Sequence, residues 1–243
     1  MSPNLLACSG VSMRFGGVTA LDGVSLEFPV GQVTGVIGPN GSGKSTLFNV
    51  LSAELRPSSG EVRWDGERIG GLAMHEAARR GVVRTYQSAS VFPQVSVLES
   101  MSFAHRLARG RGGPSLADVA NLTGLEPYLG ESGGALPYGH QKILGVALAL
   151  LTAPRMLLLD EPAAGLNQAE VTRFLELIRR IRETGNIGIG IIDHDMSLIM
   201  PACDRIAVLN FGQLVAFGKP ADIQADPAVL DLYLSGDLRH AGS

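Results

Sequence analysis

Eight residues constrain this chain more than any others: Gly38-Pro39-Asn40-Gly41-Ser42-Gly43-Lys44-Ser45. They fit G-x-x-x-x-G-K-[ST], the P-loop pattern. Even with 31 glycines among 243 residues, nearly double the ordinary share of about 7%, a chance match has odds of about 0.5%. The pattern is therefore read as a phosphate site. The apolar run Val33, Val36, Ile37 before it predicts a buried strand, and residues 46–55, with Leu47, Val50 and Leu51 on one face, predict a helix after it. Small residues let successive N–H groups converge on phosphate oxygens. The helix starting near Ser45 turns its positive end to the same anion. Lys44 supplies a full charge to the β and γ phosphates, and the Ser45 hydroxyl is a Mg²⁺ ligand candidate.

A second constellation sits at the ends of apolar runs. Met156-Leu157-Leu158-Leu159 leads into Asp160-Glu161-Pro162, a buried strand ending in acid. Mg²⁺ takes hard oxygen ligands, so Asp160 is the second metal anchor, and Glu161 is the group that polarises an attacking water. A capping role for this acid pair is the plainer alternative, weakened by Pro162 and the distance to the next helix. The strand over 187–192 closes on Asp193-His194-Asp195, which makes His194 a γ-phosphate contact candidate beside a P-loop, although a strand-end histidine alone is usually a surface residue. Gln87 closes the strand predicted over 82–86, and its amide is a candidate contact to Mg²⁺ or the water.

Strands alternating with helices predict an α/β fold with a largely parallel sheet. Helices predicted over 96–109, 115–123 and 141–152 interrupt that alternation and read as an inserted helical unit. The helix over 169–183 is amphipathic, with Val171, Phe174, Leu175, Leu177, Ile178 and Ile181 inward. Residues 205–209 and 213–217 read as a hairpin around Asn210-Phe211-Gly212. A net charge of −3 argues against a basic nucleic-acid binder, and no nucleic-acid partner is expected. Two distant cysteines, Cys8 and Cys203, suit a reducing compartment better than a disulfide framework. No apolar stretch approaches the roughly 20 residues a membrane span takes, and the N-terminus lacks the basic region of a secretory signal. A guanine-specifying N-K-x-D is absent from the sequence, which disfavours a GTPase.

Taken in order, these segments resemble the ATP-binding subunits of ABC transporters, over about residues 4 to 235. The P-loop with Thr46 is similar to Walker A, Tyr86-Gln87 to the Q-loop, and Leu136-Pro137-Tyr138-Gly139-His140-Gln141 to the signature. Met156 to Pro162 resembles Walker B, Ala164-Gly165-Leu166-Asn167 the D-loop, and His194 the switch histidine. The wording Gly81-Val82-Val83-Arg84-Thr85-Tyr86-Gln87 and Asp160-Glu161-Pro162-Ala163-Ala164-Gly165-Leu166-Asn167 is similar to the subfamily that takes up branched-chain amino acids, urea or short amides. The resemblance implies a P-loop NTPase of RecA-like core with an antiparallel β subdomain and an inserted helical subdomain. It implies one nucleotide-binding domain over 1–243, with the core near 1–88 and 152–243 and the helical subdomain near 89–151. It implies ATP and Mg²⁺ as ligands and Phe15 as the aromatic on adenine. A second ATP-binding subunit, permease subunits and, indirectly, a solute-binding protein are the implied partners. The implied location is the cytoplasmic face of the membrane, as a peripheral subunit. A soluble ABC ATPase of the repair or translation type is the alternative.

The signature admits two frames. Ser132-Gly133-Gly134 holds a familiar tripeptide, yet no helix is expected directly after it. Leu136 to Gln141 leads straight into a helix, so Gly139 N–H reaches that helix's N-terminus, and this frame is preferred. Pro137 then stands where the family has a serine hydroxyl, and it removes an N–H as well. Contacts from Tyr138, Gly139 and His140 to a second subunit's nucleotide rest on Gly139 N–H, the helix dipole and His140. Val91, Phe92, Val95 and Leu98 are read as a socket for membrane subunits, or else as ordinary core.

Overall fold

The computed structural model describes residues 4–85, 92–108 and 112–232. Its strands are β1 (Leu5–Phe15), β2 (Val18–Pro29), β3 (Val33–Ile37), β4 (Ser59–Trp64), β5 (Glu67–Arg68), β6 (Val82–Thr85), β7 (Met156–Asp160), β8 (Gly188–Ile192), β9 (Arg205–Asn210) and β10 (Gln213–Gly218). They form two sheets. One is antiparallel, in the order β2-β1-β4-β5; the other runs β10-β9-β3-β8-β7-β6. All pairings within the larger sheet are parallel except β10 on β9.

The larger sheet explains why its strands read as continuous apolar runs. Every residue of β3, β7 and β8 is buried, because both faces are covered. Strand alternation deals the side chains to two cores. Val33, Ile37, Leu157, Leu159, Ile189 and Ile191 join the core under the helices. Val36, Met156, Leu158 and Ile192 join the core shared with the antiparallel sheet.

The helices are α1 (Lys44–Leu51), α2 (Met74–Arg79), α3 (Val97–Leu107), α4 (Leu116–Thr123), α5 (Tyr138–Leu151), α6 (Gln168–Glu183), α7 (Met196–Ala202) and α8 (Pro220–Ala225). Between β6 and β7 the chain makes α3, α4 and α5, yet those two strands pair as parallel neighbours, Val82 with Met156 through Thr85 with Leu159. The helical segment thus leaves and re-enters the sheet at adjacent points. Helix α6 buries Val171, Phe174, Leu177, Ile178 and Ile181, each such side chain contributing about 1.5–3 kcal/mol. Among the described residues no helix is long and apolar enough to cross a membrane.

Two helix ends differ from expectation by three residues or more. Helix α1 stops at Leu51, because Ala53 takes a left-handed φ of 60° and the N–H groups of Ser52 and Ala53 close onto Phe48 and Val50 carbonyls. Glycine usually marks such a stop, so an alanine there gave no warning. Helix α5 begins at Tyr138, three residues early, with Pro137 as its N-cap residue. The expectation that no helix follows Ser132 is corrected: a 3₁₀ turn, Gly133–Ala135, follows at once. The β9–β10 hairpin turns on Phe211 and Gly212, both at positive φ, the combination that matches a two-residue turn to strand twist.

Candidate functional site

The parallel order sets β3, β8, β7 and β6 side by side, so the segments that follow them emerge along one edge. That carboxyl edge is where open α/β sheets bind ligands. The P-loop leaves β3 there. Gly38 has φ 148°, and a Cβ on it would sit 2.1 Å from the Leu209 carbonyl oxygen; at Gly43, φ 104°, a Cβ would sit 2.5 Å from the Ala20 oxygen. No side chain fits at either position. Gly212 N–H donates to Ser42 O at 3.0 Å, so the β9–β10 turn braces the loop. Ser42 turns inward: it is buried and its N–H donates to Pro39 O at 3.1 Å.

Gly43 is the N-cap residue of α1, and no side chain caps that helix. Its first-turn N–H groups face a cleft of about 190 Å³ lined by Ala20, Asn40, Gly41, Gly43, Lys44, Ser45, Thr46 and Glu161. Lys44 Nζ donates to Gly38 O at 2.8 Å and Pro39 O at 2.9 Å. Burial pulls the Lys44 pKa below its ordinary value, while the charges of Glu161 and then Asp160 oppose that shift.

The two acids part company at the end of β7. Asp160 is buried, and its Oδ2 accepts from Arg84 Nη2 at 2.6 Å. Arg84 also donates to Asn49 Oδ1 on α1 and to Glu54 Oε2. Glu161 leaves the strand in a left-handed conformation, φ 45°, with its N–H on Ile192 O at 2.8 Å. Its side chain faces the P-loop cleft. Asp193, fully buried, accepts from Ala163 N at 2.9 Å and from His194 N at 2.8 Å. It ties the turn after β7 to the turn after β8. The His194 side chain is 70% exposed. Arg84 and Asp193 are site residues that the sequence reading passed over. A charged residue inside an otherwise β-branched strand was the available signal for Arg84.

The structure does not bring every candidate together. Tyr138, Gly139 and His140 form the first turn of α5 and are absent from the residues lining the P-loop cleft. They lie against the loop before α6: the Tyr138 hydroxyl donates to Ala164 O at 3.4 Å, and Gly139 N–H points at Glu170 Oε1, 3.3 Å away. The His140 ring packs on Tyr128 with centroids 4.6 Å apart. Phe15 ends β1, 47% exposed. Gln87, Tyr86 and Val91 lie outside the described residues.

Burial, and then the charge of Arg173, lower the His140 pKa below 6.5, with Glu170 opposing. The folded state therefore disfavours the imidazolium. Its share of stability is whole above pH 6.5 and falls as pH drops toward the lowered value, because the unfolded chain takes up the proton first. Thermal melts between about pH 5 and pH 8 are expected to show a shallower acid-side decline in His140→Gln. An unchanged slope overturns the assignment.

A strand-to-helix phosphate loop facing an acidic strand end, on a parallel sheet joined to an antiparallel one, defines an ATPase of the P-loop class. The ABC transporter family model matches residues 21–164, and this chain belongs to that family. It is similar to the high-affinity branched-chain amino acid transport ATP-binding protein BraF of Pseudomonas aeruginosa, 38% identical, with 96% of this chain and 99% of that one covered. The LivG protein of Salmonella typhimurium, of the same description, is 37% identical over the same shares. Among solved structures, the ADP conformation of MJ1267, an ATP-binding cassette of an ABC transporter, superposes with a TM-score of 0.86 at 27% identity, covering 96% of this chain and 99% of that one. The chain is an ABC ATPase.

Proposed function

We propose that this chain is one of two ATP-binding subunits powering a membrane importer for branched-chain or related amino acids. One observation carries the two-subunit reading. The cleft with the P-loop and Glu161 lacks Tyr138, Gly139 and His140, which stand on a separate helix start. A second copy or a paralogue then supplies those groups. The sequence relationship to BraF and LivG over nearly the whole chain supports the importer and its substrate class.

In this reading Lys44, Thr46 and the loop amides hold the triphosphate, Phe15 stacks on adenine, and Glu161 accepts a proton from the attacking water. His194 meets the γ-phosphate, and the Gln87 amide meets Mg²⁺ or the attacking water. Phosphoryl transfer asks mainly for positioning and charge neutralisation. Mg²⁺ fits the donor set: Ser45 opens on the cleft, and Asp160 lies near enough for Lys44 to feel its charge. Ser45 and Asp160 would hold the ion together with phosphate and water oxygens, and it would neutralise charge on the transferred group.

The permease surface is read beside α3. Phe92, Phe103 and Leu107 are exposed and line a mostly apolar cleft of about 260 Å³ that also reaches Arg84 and Asp160. An apolar helix end seated there would feel the metal-side acid through Arg84. Val95 is only half-buried and Leu98 is exposed.

The test is reconstitution in lipid vesicles with the permease subunits of a branched-chain amino acid importer. ATP hydrolysis is expected to rise severalfold when the cognate solute-binding protein is added with leucine. A chain that hydrolyses ATP at full rate alone, and never co-purifies with the permease, overturns the proposal.

A further inference from the structure

Helix α5 starts without the usual aids. Its N-cap residue is Pro137, no side chain from its own sequence caps it, and its first turn holds no acid. The missing anion comes from another helix. Glu170 Oε1 stands 3.3 Å from Gly139 N, while Glu170 Oε2 accepts from Asn167 N at 2.9 Å and Asn167 Oδ1 accepts from Glu170 N at 3.1 Å. One carboxylate thus bridges the starts of α5 and α6. Gly139 makes room for it: a Cβ there would sit 2.7 Å from Oε1 and 2.9 Å from Cδ of Glu170. Tyr138 adds a second tie through Ala164 O.

We infer that Glu170 is a resident anion on the signature amide, holding Gly139 N–H until the γ-phosphate on the facing subunit displaces it, and so setting the threshold for ATP-driven closure. The inference rests on the two-subunit reading above. The same N–H cannot serve both anions at full strength. Arg173, three residues along α6, carries a charge that reaches His140 and offers the displaced carboxylate a new partner at helical i,i+3 spacing. Glu170 acts through Gly139, so it is a positioning residue.

Glu170→Gln is the informative change. Glutamine keeps the capping box with Asn167, so the fold persists, while Gly139 loses its charged acceptor. A charge-assisted hydrogen bond is about twice as strong as a neutral one. In a Glu161→Gln background with MgATP, sedimentation is expected to show the dimer Kd falling about three- to tenfold on adding Glu170→Gln. In the nucleotide-free chain, the Gly139 amide proton resonance is expected to move upfield in Glu170→Gln.

An unmoved Gly139 resonance overturns the contact. A moved resonance with a dimer Kd unchanged within about twofold, or raised, makes Glu170 a helix cap only and overturns the threshold. A Glu161→Gln chain that binds MgATP yet stays monomeric brings down the two-subunit reading and this inference with it. Dimerisation of that chain with no effect of Glu170→Gln brings down this inference alone.

Discussion

Glu161→Gln is expected to keep ATP affinity and to lose turnover by about two to four orders of magnitude, the range that a positioned general base contributes. The expectation follows from how the backbone aims this side chain. β7 ends at Asp160, and Glu161 adopts a left-handed φ of 45°, which costs a non-glycine residue about 1–3 kcal/mol. Neighbours hold it there. Glu161 N–H donates to Ile192 O, and Asp193 takes the Ala163 N–H two residues on. The strained turn swings Glu161 into the cleft beside Lys44 and Ser45, away from the Arg84 contact that holds Asp160. Glutamine keeps the length and loses the proton acceptor. Phosphate release and nucleotide affinity, measured together, check this. Turnover within about tenfold of the native chain would remove Glu161 from that role.

Lys44→Ala is expected to weaken MgATP binding by about 10–150-fold, as a charge-assisted hydrogen bond to phosphate worth about 1.5–3 kcal/mol is lost. Lys44 is buried at 8% exposure and spends its ammonium on Gly38 O and Pro39 O, so the variant also strips the loop of an internal clamp. Two acids, Glu161 and Asp160, lose the cation whose pKa they raise. Burial outweighs them and leaves the folded-state pKa below 10.5. The charged form therefore carries a stability cost at neutral pH, which fades as pH rises through the lowered value toward 10.5. An anion in the cleft offsets that cost, which ties nucleotide affinity to a group the fold keeps uncomfortable. Titration calorimetry with MgATP checks the prediction, and an affinity within about twofold of native would refute it.

Much of the core was legible because periodicity and burial agree. The run at 33–37 and the run ending at Asp160 read as buried strands, and both are. The α6 stripe put Val171, Phe174, Leu175, Leu177, Ile178 and Ile181 inward; all are buried except Leu175, which is half-buried at the edge of the core. Asn210-Phe211-Gly212 announced its hairpin. Helix ends were less legible. Ala53 stops α1 in a conformation that alanine does not advertise, and Pro137 starts α5 without a side-chain cap. In both cases the tertiary contacts override a weak local preference.

Local chemistry was written in the chain itself: a glycine-lysine loop between a strand and a helix, and an acid pair closing an apolar strand. Those features act over a few residues, so linear order suffices to reveal them. Folding alone set Arg84 on Asp160 across 76 positions, Asp193 under the turn at Ala163 across 30, and Glu170 on Gly139 across 31. Such pairs arise from strand order and helix packing, which bring distant segments to one sheet edge, and no spacing along the chain encodes them.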